Sequence, residues 1–276
     1  MTEKEIQFRK KRELGDIIND SFEFLKQEIR PIWRLLIVYV LPFFILYGIA
    51  QVYVQKKIMG VIDFSDPEML MSNIGPVYMN ILLTSLFGIF VQSLLAGTFY
   101  SYIEIYIKKG KGNFRIEEIT PHLFSNSLLA LGVNLVLFIV VILGIMMCII
   151  PGIYFANSLS LAVMIVIYEK KGLGNAIARS WQLVHSQWWN NFLLGLLAFA
   201  IIMAASFVLS IPSMIAGVSS TVFNMQEANN TNYPNWYWVS IAVSTIITSL
   251  LWILPYTFFA FQYFNLDERT KPYLPN

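Results

Sequence analysis

The sequence predicts an all-α polytopic membrane protein with six transmembrane helices, arranged as repeated units of an interfacial helix followed by a transmembrane hairpin. Three observations carry this. Of the 276 residues, 57% are hydrophobic and only 13% charged, about half the charged share of a soluble domain. Six stretches are apolar and near 20 residues or longer, the length that crosses a 30 Å hydrocarbon core as a helix. Two polar amphipathic segments resemble one another and each precedes a pair of those stretches.

The first polar segment, 12–30, places Leu14, Ile17, Ile18, Phe22, Leu25 and Ile29 on one helical face. No cleavable leader is expected before the apolar run that follows it, so that run reads as a retained anchor. The spans are expected at 32–54, 77–107, 127–150, 152–168, 191–218 and 236–264. Only Pro151 and Gly152 separate the third and fourth, which reads as a tight membrane hairpin. Pro212 and Pro255 are expected to kink the fifth and sixth. The second polar segment, 173–189, sets Leu173, Ala176, Ile177, Trp181, Val184 and Trp188 on one face. It is too polar to span and is expected to lie in the interface, with its apolar face in the acyl boundary.

The two polar segments align at a shift of 159 residues: Leu14, Gly15, Ile18 and Ser21 match Leu173, Gly174, Ile177 and Ser180. Lys26 falls on His185. An internal repeat explains this; so does a common pattern imposed by a common task. A weaker third copy begins at Ile116.

Orientation follows from the cations. With the N-terminus in the cytoplasm, all of the 19 lysines and arginines except Lys56 and Lys57 lie inside. The outer loops carry Asp63, Asp66, Glu68 and Glu227. The expected location is the bacterial inner membrane, multi-pass, with both termini cytoplasmic.

The single cysteine, Cys148, rules out an internal disulfide, and His122 and His185 have no metal-ligating neighbours in sequence. No metal and no cofactor are expected. The span interiors hold almost no ionisable groups, the usual mark of proton relays and intramembrane catalysis. With no acid, base or nucleophile set, the chain is not expected to be an enzyme. A net charge of +2 gives no reason to expect a nucleic-acid partner. The expected partners are membrane lipids, with anionic headgroups at the cytoplasmic face meeting Lys108, Lys109, Lys170, Lys171 and Arg179. Glu104 and Lys108 form an i,i+4 pair at a helix end. A contact from Glu169 to Arg179 would hold the second polar helix against span four. The alternative is a transporter for a lipid-like or uncharged molecule, with Asn80, Gln92, Asn134 and Asn157 converging on one cavity.

The run from Ile149 to Trp189 contains Pro151-Gly152, Glu169, Gly172, Ala176, Arg179-Ser180-Trp181, Leu183 and Trp188. In these features it resembles an uncharacterised family of bacterial six-helix integral membrane proteins. That family includes the membrane domain fused, in some proteins, to a soluble glycerophosphodiester phosphodiesterase. The stretch "RELGDIINDSFEFL" is similar to the family's opening. The resemblance implies a membrane location and a role near lipid. It does not imply the phosphodiesterase activity, because the chain has no room for the catalytic barrel.

Overall fold

The computed structural model describes residues 5–59, 67–147, 149–223 and 233–271. Lys4, Asp63, Asp66, Cys148 and Glu227 lie outside them. The described residues form ten α-helices and no strands: α1 (Leu14–Tyr39), α2 (Leu41–Met59), α3 (Pro67–Lys109), α4 (Thr120–Met147), α5 (Ile149–Ser158), α6 (Ala162–Tyr168), α7 (Leu173–Ser186), α8 (Trp188–Phe223), α9 (Asn235–Leu250) and α10 (Ile253–Thr270). A single 3₁₀ turn at Ile116–Glu118 precedes α4. Five stretches are long and apolar enough to cross a bilayer: Ile74–Lys109, Thr120–Met147, Ile149–Tyr168, Trp188–Gly217 and Asn235–Thr270. A sixth is obtained when α1 and α2 are counted as one broken span. The protein is a multi-pass α-helical membrane protein.

Several boundaries differ from the sequence reading, each for a physical reason. The first polar helix does not stop at residue 30. It runs through Pro31 to Tyr39, and the break falls at Val40, inside the stretch expected as span 32–54. One i,i−4 hydrogen bond is missing at Pro31, and burial of Ile32, Leu35 and Leu36 carries the helix past it. Pro151-Gly152 is not the turn between spans three and four. Helix α4 ends at Met147 and α5 is under way from Ile149, so Pro151 sits in the first turn of α5, where its missing N–H is tolerated. Gly152 is instead a packing residue: a Cβ built on Gly144 would lie 2.7 Å from the Gly152 Cα. The fourth span is divided at 159–161 into α5 and α6. The sixth is interrupted at Leu251 and Trp252, where Pro255 has no N–H to offer the Leu251 carbonyl. Pro212 lies inside the continuous helix α8. The third polar copy is no separate helix, since Thr120 onward is already part of α4.

The chain divides into two compact units: Met1–Val40 with Gln92–Ala200 and Trp252–Asn276, and Leu41–Val91 with Ile201–Leu251. In the second unit α2 packs on α9. A Cβ on Gly48 would come 3.2 Å from the Ala242 carbonyl oxygen, so any larger residue would push α9 back by a few tenths of an ångström. Lys56 lies 4.9 Å over the Trp238 ring.

The first unit repeats one packing motif three times. Each copy buries three residues at i, i+4 and i+7, with serine in the middle: Ile17-Ser21-Phe24 in α1, Leu123-Ser127-Ala130 in α4, Ala176-Ser180-Leu183 in α7. Helix α1 packs on α10, where Phe22 meets Phe258 at 5.8 Å. The start of α4 meets the end of α3, with Asn126 Nδ2 donating to Ser101 Oγ at 2.7 Å. Helix α7 packs on α5 and α6, with Ser180 Oγ donating to the Ser158 carbonyl at 2.9 Å. A small serine lets each polar helix approach closely. The apolar face of α7 therefore lies against protein helices at Ala176, Leu183 and Val184, rather than wholly in the acyl boundary as the sequence suggested.

Candidate functional site: the polar rim of the first unit

The linker between α6 and α7, Glu169 to Gly172, gathers the charges. Lys170 adopts a positive φ of 54°, a conformation costing about 1 kcal/mol for a residue with a Cβ. Its side chain explains why it is held there. Lys170 Nζ donates to Glu104 Oε2 at 3.0 Å and to Asn126 Oδ1 at 3.0 Å. Glu104, buried near the end of α3, also takes the 2.7 Å pair from Lys108 expected from sequence. One carboxylate thus ties α3, α4 and the linker together.

The second knot fixes α7. Arg179 Nη2 donates to Asp267 Oδ1 at 2.9 Å, and its Nε lies 3.7 Å from Glu169 Oε1. The expected partner Glu169 is present, but Asp267 on α10 is the closer one. Glu169 also accepts from the Tyr263 hydroxyl at 2.8 Å and pairs with Lys171 at 2.5 Å. Burial pushes the Glu169 carboxyl up. The hydrogen bonds from Lys171 and Tyr263 and the charges of Lys171 and Arg179 outweigh it, leaving the group below its ordinary value.

A third knot comes from residues 5–13. Phe8 is buried, stacked 4.3 Å from Phe261 and edge-on to Phe24, Tyr106 and Phe264. The Arg12 side chain is fully buried; it pairs with Asp20 at 2.7 Å and donates to the Phe8 carbonyl. Arg9 pairs with Glu268 at 3.2 Å and donates to the Tyr168 hydroxyl. Glu28, also buried, accepts from Tyr102. Sequence reasoning missed Glu28 and Arg12, since each lies in a charged, polar stretch of the chain and nothing local marks it as buried.

The five cations expected to meet headgroups are therefore ion-paired: Lys108 and Lys170 with Glu104, Lys109 with Glu118, Lys171 with Glu169, and Arg179 with Asp267. A different set is free. Lys26, Arg30 and Arg34 stand exposed at i, i+4 and i+8 along α1, and among the described residues no hydrogen bond or ion pair engages any of them. Beside them run the exposed apolar residues Phe22, Ile29, Trp33 and Ile37. The signal was in the sequence: three cations four apart with no acid at i±4.

The four polar residues considered for a cavity are not joined to one another, except that Asn157 meets other polar partners. Asn80 donates to the Pro76 carbonyl of its own helix. Asn134 donates to Ser93 at 2.8 Å, and the Gln92 side chain faces the Tyr256 hydroxyl. Asn157 sits where span four breaks. Fully buried Asn191 donates to the Asn157 carbonyl at 3.2 Å and to its side chain at 2.7 Å. At the break the Asn157 carbonyl accepts a 3.3 Å bond from the Ser160 N–H, and Asn191 gives it a second donor, which suits an interrupted membrane helix. Among the described residues no three metal-ligating side chains are gathered.

A family model described as "Domain of unknown function (DUF7847)" matches residues 122–266, more than half of the chain. The chain belongs to the DUF7847 family. The DUF7847 region takes in most of α4, α5 to α9 and most of α10, and with them the Asn157–Asn191 contact; Asp267, the partner of Arg179, lies one residue beyond it. No curated protein and no solved structure matches the chain.

Proposed function

We propose that this DUF7847 protein is a non-enzymatic protein of the bacterial inner membrane that associates with anionic phospholipid at the cytoplasmic leaflet through α1. The observation that carries the reading is the unpaired stripe Lys26, Arg30 and Arg34. Like charges at i,i+4 destabilise a helix by about 0.2–0.5 kcal/mol per pair, and among the described residues no ion pair engages them. An anionic surface returns about 1 kcal/mol per cation, so three cations outweigh two repulsions. The exposed Phe22, Ile29 and Trp33 on the same helix fit an interfacial placement. The ion-paired lysines 108, 109, 170 and 171 keep about half their surface open and supply a secondary field. The resemblance to the membrane domain accompanying a glycerophosphodiester phosphodiesterase points the same way.

The test is lipid selectivity measured with spin-labelled phospholipids around the reconstituted protein. The wild type should hold phosphatidylglycerol in preference to phosphatidylcholine. Replacing Lys26, Arg30 and Arg34 by glutamine should remove most of that preference, and an unchanged preference would reject the reading.

A further inference from the structure

The junction of α7 and α8 holds a groove of about 610 Å3 lined by Tyr154, His185, Ser186, Gln187, Trp188, Trp189 and Asn190. Its wall is rigid. The Trp188 ring stacks on Tyr154 at 5.6 Å and on Phe192 at 5.2 Å, and its indole nitrogen donates to Ser158 Oγ at 3.3 Å. Asn157 Nδ2 donates to the Trp188 carbonyl at 3.1 Å. The mouth is open: His185 is exposed, and among the described residues no hydrogen bond or ion pair engages it. Directly along α8 from the groove, Trp189, Leu193, Leu196 and Ala200 are exposed at steps of four, three and four. Trp189 shows 71% of its surface, Leu193 46% and Leu196 49%. A largely apolar groove with His185, Gln187 and Asn190 in its lining thus continues into an apolar track on the first turns of a span, the junction where lipid headgroup meets acyl chain. His185 also occupies the repeat position of Lys26.

We infer that this groove is a discrete site for one phospholipid, its phosphodiester bound by His185, Gln187 and Asn190 and one acyl chain lying along Trp189, Leu193 and Leu196. This rests on the lipid-associated reading above and names a specific binding site within it. The groove alone would accept any small polar molecule; the track beside it selects one that carries a chain. Imidazole and amide N–H groups suit phosphate oxygens, and the ring faces of Trp188 and Tyr154 exclude water from one side.

The full chain in detergent micelles would be titrated with phosphatidylglycerol and the adducts counted by native mass spectrometry. Diacylglycerol, which lacks the phosphate, and inorganic phosphate, which lacks the chains, serve as contrasts. One tight phosphatidylglycerol adduct is expected, with both contrasts at least about tenfold weaker. The double variant His185→Ala with Asn190→Leu should weaken the adduct about tenfold, the effect of one charge-assisted hydrogen bond. Equal binding by that variant, or competition by inorganic phosphate alone, would overturn the inference. A second measurement needs no polar substitution. Brominated phosphatidylglycerol should quench the wild type more than Trp189→Phe, and equal fractional quenching would overturn it too. The variant of Lys26, Arg30 and Arg34 should keep this adduct while losing bulk selectivity, so failure of the site and failure of the surface reading give different results.

Discussion

Gly97→Ala isolates the close approach of α3 to α4 at Ser127. A Cβ at Gly97 would lie 2.4 Å from Ser127 Oγ, 2.5 Å from its Cα and 2.6 Å from its N. Two of those atoms are backbone and cannot swing aside. Carbon contacts settle near 3.5–4.0 Å, so α3 and α4 must part by roughly 1 Å. One turn away, the 2.7 Å bond from Asn126 to Ser101 would stretch beyond hydrogen-bond range, a loss of about 1 kcal/mol. Overpacking adds about 1–3 kcal/mol, and the better helix propensity of alanine returns about 1 kcal/mol. The net expectation is destabilisation by about 1–3 kcal/mol. Gly174→Ala is the control, because nothing lies within 4 Å of a Cβ there; it should be neutral or stabilising by up to about 1 kcal/mol. The assay is reversible unfolding in mixed micelles followed by circular dichroism. If Gly97→Ala proves as stable as Gly174→Ala, the docking of α4 on α3 is wrong.

Three further outcomes are expected. Arg179→Ala should release α7, seen as faster amide exchange in Leu173–Ser186, at a cost of about 1–2 kcal/mol given its partial exposure; combining it with Asp267→Asn should cost less than the sum of the two. The Glu169 carboxyl is depressed in the folded protein, so its contribution is fully present above its unfolded value near 4.5 and is lost as pH falls through the lower folded value. Exchange protection of α7 should fall in that acidic range, and Glu169→Gln should abolish the step. Phe8→Ala should expose the ring cluster of Phe24, Tyr106 and Phe261 and destabilise the first unit by about 3–5 kcal/mol, measured by the same unfolding assay.

Much of the fold was legible because a bilayer demands long apolar helices, and hydropathy alone marks them. The break at Val40 was hidden: Tyr39, Val40 and Leu41 are as apolar as their neighbours, so nothing in composition marks the end of α1. The repeat was visible at Ser21 and Ser180, but the third serine, Ser127, fell inside a span and lost its context. Ion pairing was the least legible property. The carboxylate that holds Lys170 lies 66 residues away and the one that holds Arg179 lies 88 away, so cations that look free for headgroups along the chain are already engaged. The stripe on α1 reads directly from its spacing once orientation is no longer the only use made of its charges.

The placement of α1 and α7 at the cytoplasmic surface is tested most directly by thiol labelling. Arg30→Cys and Ser186→Cys, each in a Cys148→Ser background, would be treated with a membrane-impermeant maleimide in spheroplasts and in inverted membrane vesicles. Both positions should react in inverted vesicles and stay protected in spheroplasts; reaction at either position from the outside of spheroplasts would contradict the account.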